Sequence, residues 1–135
     1  MAYSGVFRTN YFRIKDKEEF WDFVSNVLKL NVDLYIRDKE DDDGNTLVSF
    51  VAYQEVSEIK GGVDSISFFT ELQKYIAPGD AAIFFEIGND LLEWFESKAL
   101  IVTPDSFKWL DLLECAVEEA AKLISNPSWT TEYRY

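Results

Sequence analysis

Asp90, Glu96 and Lys98 follow a D…E-x-K spacing. In that pattern two strand-borne carboxylates hold a divalent ion, and a lysine steadies the hydroxide that attacks a phosphodiester. Alternation along a strand puts the Glu and the Lys of E-x-K on one face. No basic stretch accompanies the triplet, and a chain of net charge −12 repels phosphate as a whole. A carboxylate-metal, nuclease-like enzyme is therefore the alternative expectation rather than the leading one.

Asp41-Asp42-Asp43-Gly44-Asn45 resembles the opening of a calcium loop. With Gly44 in the sixth place, the first ligand position is Lys39 and the twelfth is Phe50, so the first oxygen and the closing bidentate carboxylate are both missing. The run is expected to be a solvated hairpin tip. Cys115 lies beside Glu114 in an apolar helical stretch with no neighbouring cation to favour its thiolate, which is the setting of a packing residue. Glu114, Glu118 and Lys122 share a helix face and are expected to be solvated. Gly61-Gly62 has no Lys-Ser/Thr after it, so no phosphate-binding loop is present.

The chain has no histidine, which removes Ser-His-Asp and Cys-His catalysis and histidine-bound zinc or iron. One cysteine excludes an internal disulfide and favours a reducing, cytoplasmic setting. No cofactor is expected. No run of apolar residues is long enough for a membrane span, and the first residues lack a secretory pattern. With 47% hydrophobic and 16% aromatic residues, the 135-residue chain is expected to fold around one core as a single domain over 1–135.

The elements follow from periodicity. Residues 6–15 read as a first strand, and Asp16 can cap a helix over 17–29 with Phe20, Phe23, Val24, Val27 and Leu28 inside. Val32–Arg37 and Thr46–Tyr53 read as a hairpin closed at Asp43-Gly44. A second helix is expected over 65–77, stopped by Pro78-Gly79, and an interior strand over 81–87. A long or bulged strand follows over 91–103 and a short one over 107–110. A third helix over 112–125 would bury Leu113, Ala116, Val117, Ala120 and Ile124. The order predicts an α+β fold: an antiparallel sheet with helices on one face, in a split βαβ (ferredoxin-like) plait with a β-β-α C-terminal extension. Trp129, Tyr133 and Tyr135 make the tail too aromatic to lie loose in water.

Charge is unevenly distributed along the chain. Residues 1–40 hold seven acidic and seven basic side chains, and residues 41–135 hold eighteen and six. Acidic groups on a rigid scaffold can occupy the basic groove of a nucleic-acid-binding protein, and here Asp41, Asp42, Asp43, Asp90, Glu93 and Glu96 are the candidates. Such acidity can equally serve solubility alone.

Phe7-Arg8-Thr9-Asn10-Tyr11-Phe12, Phe84-Phe85-Glu86-Ile87-Gly88 and Trp129-Thr130-Thr131-Glu132-Tyr133 resemble segments of a family of small acidic proteins of unassigned function carried by bacterial phages and mobile elements. The resemblance implies an accessory factor, of the kind that inhibits restriction or CRISPR nucleases. The leading expectation is thus a non-enzymatic module that binds a basic protein partner, such as a nucleic-acid-binding host protein, without itself contacting nucleic acid or membrane. A ligand-sensing regulatory homodimer is the remaining alternative, since 22 aromatic residues in a small domain are expected to leave an apolar patch at the surface.

Overall fold

The strand expected over 6–15 is interrupted where Thr9 and Asn10 turn their side chains onto backbone groups. Thr9 Oγ1 accepts from Phe50 N at 2.9 Å, while Asn10 Oδ1 accepts from Ile83 N at 2.8 Å and its Nδ2 donates to Ala81 O at 3.0 Å. These bonds split the segment into β1 (Ser4–Thr9) and β2 (Phe12–Arg13). The structure is a computed structural model that describes residues 4–60, 65–90 and 94–131.

The other elements are α1 (Lys17–Leu30), β3 (Leu34–Glu40), β4 (Thr46–Ala52), a 3-10 turn (Val56–Glu58), α2 (Ser65–Gln73), β5 (Ala82–Asp90), β6 (Trp94–Val102), β7 (Phe107–Asp111) and α3 (Leu112–Leu123). Asp16 caps α1 as expected, accepting from Glu19 N at 2.9 Å. Helix α2 ends earlier than Pro78. Lys15 N donates to Tyr75 O and Ala77 N to Arg13 O, so the segment after α2 is drawn beside β2 in place of a further helical turn.

The fold is α+β, with a seven-stranded antiparallel sheet and three helices. β3 pairs with one edge of β4, while β1 and β2 share the other edge, so the order reads β3-β4-β1-β5, continued by β6 and β7. That is the split βαβ order with the anticipated β-β-α extension.

Phe12, Phe20, Phe50, Phe68 and Phe84 are fully buried between α1, α2 and one face of the sheet. Phe50 stands among the other four, with ring centroids 5.8–6.2 Å away. Helix α3 packs against β6 and β7 and contributes no residue to that cluster. Its expected stripe is also displaced, since Ala121 is the buried residue and Ile124 is 55% exposed. Ser125 has a positive φ of 55°, which turns the chain after α3 and leaves Ile124 outside. Trp129 is half-buried and folds back toward α3, its N donating to Asn126 O, while Tyr133 and Tyr135 fall outside the described residues.

Candidate functional site

Strand alternation brings Glu96 and Lys98 to one face, and the β5–β6 register adds Glu86 opposite Lys98. The Lys98 Nζ lies 3.3 Å from Glu86 Oε2 and 3.6 Å from Glu96 Oε2, and 5.2 Å above the Trp109 ring. Glu86 is 1% exposed, and its Oε1 accepts from Val56 N at 2.5 Å. Burial lowers the Lys98 pKa, but the Glu86 and Glu96 carboxylates outweigh it and the net shift is upward. Nearby, burial raises the Glu55 pKa, helped by a hydrogen bond and the charge of Glu58.

A hollow of about 230 Å³ adjoins this cluster, lined by Glu96, Ser97, Lys98, Trp109, Leu110 and Asp111. The lysine ammonium stands where a cation shared by Glu86 and Glu96 would sit. Among the described residues no group of three His, Cys, Asp or Glu is arranged to hold a metal ion. Asp90 pairs with Trp94 near the end of β5, and Glu93 lies outside the described residues.

The hairpin tip is a separate feature. Asp41 Oδ1 accepts from Asp43 N at 3.0 Å and Asn45 N at 2.8 Å, and Oδ2 accepts from Asn45 Nδ2 at 3.0 Å. The Asn45 side chain and backbone bonds hold its carboxyl below the usual carboxylate range. Gly44 takes φ +81°, the left-handed conformation this turn needs. Asp42 and Asp43 are exposed. The tip follows Glu40 and precedes Thr46, whereas Glu86 is level with Ala52 across β1. Asp41 and Glu96 are therefore on the order of 25 Å apart along the strands, several Debye lengths, so they do not form one acidic patch.

Register also defines a surface that the acidic residues had hidden. On the face of the sheet away from α1 and α2, Tyr35, Val51, Arg8 and Phe85 lie in one cross-strand row. Val6 and Ile87 lie in the next, beside Tyr53 just past β4. Between 40% (Phe85) and 73% (Tyr53) of Val6, Tyr35, Tyr53, Phe85 and Ile87 is exposed, around a hollow of about 340 Å³. No family model, curated protein or solved structure matches this chain.

The charges on this face share one sign. Alternation assigns it Arg8 on β1, Arg13 on β2, Arg37 and Lys39 on β3, and Lys108 on β7, whereas Asp38, Glu40, Glu86, Glu96 and Asp111 take the opposite positions. None of those five cations is in an ion pair among the described residues. Lys39 lies 4.3 Å over the Tyr11 ring. Acidic groups approach at the Tyr53 corner, where Asp33 and Glu58 line an adjoining hollow, and at Arg13, whose N donates to Asp80 and whose charge reaches Asp41. The sequence signal was present as i, i+2 pairs, Val6/Arg8 and Tyr35/Arg37/Lys39, within a segment whose charges sum to zero.

Proposed function

We propose that this protein is a non-enzymatic binding module whose working surface is the open face of its sheet. The observation that carries this is the exposed apolar and aromatic set Val6, Tyr35, Tyr53, Phe85 and Ile87, contiguous on neighbouring strands of a strongly acidic domain. A contiguous apolar patch on a small domain marks an interaction surface far more often than scattered exposed side chains do. The Glu86–Lys98 cluster supports a structural role better than a catalytic one, because the ammonium fills the space between its carboxylates.

A second function is favoured by the same segregation of charge. The strand carboxylates take the face opposite the strand cations, and others lie on the helices, the hairpin tip and the turns. They suit a basic protein partner, and the resemblance to phage-borne accessory proteins adds a nucleic-acid-handling host protein as its type. A capture experiment from lysate separates the two surfaces. Tyr53→Ser with Ile87→Thr should abolish retention of the captured partner, and Asp42→Asn with Asp43→Asn should leave it unchanged. The reverse pattern assigns function to the acidic side.

A further inference from the structure

The charge on the open face selects its occupant. A second copy would set Arg8, Arg37 and Lys39 against the same cations or against an apolar row, with no carboxylate at the facing strand positions. A partner with repeated negative charge and flat apolar groups matches both features at once. Tyr35 and Phe85 flank Val51 and Arg8 in the central row, which runs on through Ala99 to Leu110, Tyr53 stands at the next row, and Arg37 and Lys39 continue along β3. An exposed antiparallel sheet of this kind holds bases by stacking on its rings and phosphates by its flanking cations.

We infer that the open face binds single-stranded nucleic acid, with bases on Tyr35, Tyr53 and Phe85 and phosphates at Arg8, Arg37 and Lys39. This rests on the open face being the working surface. The net charge of −12 does not oppose it at close range, because charges beyond about 8 Å are largely screened at physiological salt. A double helix presents its bases stacked and covered, so the rings cannot reach them. Single strands should therefore bind far better than duplex.

The test uses fluorescence anisotropy with labelled oligonucleotides of about 12 nucleotides: oligouridine RNA, oligothymidine DNA and a DNA duplex. Binding of either single strand, at least tenfold tighter than duplex, is expected, and the RNA and DNA arms tell which strand the face prefers. Tyr53→Leu with Phe85→Leu keeps apolar area but removes the stacking rings, and should weaken binding roughly tenfold or more. With three phosphates neutralised, the logarithm of affinity should fall with the logarithm of salt at a slope of about −2. Arg8→Gln with Arg37→Gln should flatten that slope to about −0.7.

The control, Lys74→Gln with Lys122→Gln, makes the same charge change at two exposed positions, one just after α2 and one in α3, each paired with a nearby glutamate, and should alter affinity less than twofold. Circular dichroism and thermal melts establish that each variant is folded. The proposal is overturned if neither single strand binds at about 100 µM, the weak end of non-specific affinities, if duplex binds as tightly, or if the lysine control weakens binding as much as the arginine pair. If no oligonucleotide binds while capture still depends on Tyr53 and Ile87, the nucleic-acid assignment falls and the open face remains the working surface for a protein.

Discussion

Glu86 shows how a residue type that reads as surface can be central to a core. Its carboxylate accepts from Val56 N and pairs with Lys98, so it ties the 3-10 turn to β5 and β6. Removing one partner of a buried pair leaves the other uncompensated. Glu86→Ala should destabilise the fold by about 3 kcal/mol in urea denaturation. Loss of under about 1 kcal/mol would mean that water already satisfies Lys98 and Val56. Asp41 behaves differently, since it is only half-buried and serves the turn. Its folded pKa is depressed, so its contribution is present above the unfolded carboxylate value and disappears as pH falls through the folded one. Asp41→Asn should thus melt lower than the parent at neutral pH, and the gap should narrow as pH falls below the usual carboxylate range. An Asp42→Asn melt that fell equally would show that charge, not the turn bonds, matters there.

At the scale of elements, caps and rings dominate. Asp111 ends β7 and caps α3, accepting from Leu113 N at 3.0 Å and Glu114 N at 3.3 Å. Because strand and helix meet without a loop, this side chain fixes where α3 leaves the sheet. Asp111→Ala should cost about 1 kcal/mol, read as a lower urea midpoint and a loss of helical ellipticity. An unchanged midpoint would show that packing alone holds α3. Phe50 joins β4 to both core helices through Phe20 and Phe68. Phe50→Ala should lower stability by about 3–5 kcal/mol, because its four ring neighbours cannot collapse into the space together.

Across the whole molecule, the feature with consequences is the separation of charge between faces. Each copy is strongly negative overall, and its open face is cationic at the strand positions, so two copies repel both at long range and face to face. Light scattering in dilute salt should show a monomer, and any self-association should strengthen as salt is added. Nucleic-acid binding has the opposite salt dependence. A dimer that is tightest at low salt would place an attractive, oppositely charged contact between copies, which two open faces set against each other could not supply. Among the described residues no helix is long and apolar enough to cross a membrane.

Much of this architecture is written in local order along the chain. Phe20, Val24 and Val27 at helical spacing specify the buried stripe of α1, Asp16 its start, and Asp43-Gly44 the hairpin, because each depends on neighbours within a few residues. The split βαβ order was equally legible from the succession of elements. The break at Thr9-Asn10 was not, since the bonds that cause it reach Phe50, Ala81 and Ile83. Glu96 and Lys98 were seen as a pair, but Glu86 entered only through the β5–β6 register. Net charge misled most. A sum over the sequence cannot say on which side of a sheet each charge lies, and residues 1–40 sum to zero while their strands send Arg8, Arg37 and Lys39 to one face and Asp38 and Glu40 to the other. Alternation alone fixes that these sets are opposed, but only the packing of α1 and α2 against Phe12, Phe50 and Phe84 decides which set shares the uncovered face with the exposed rings.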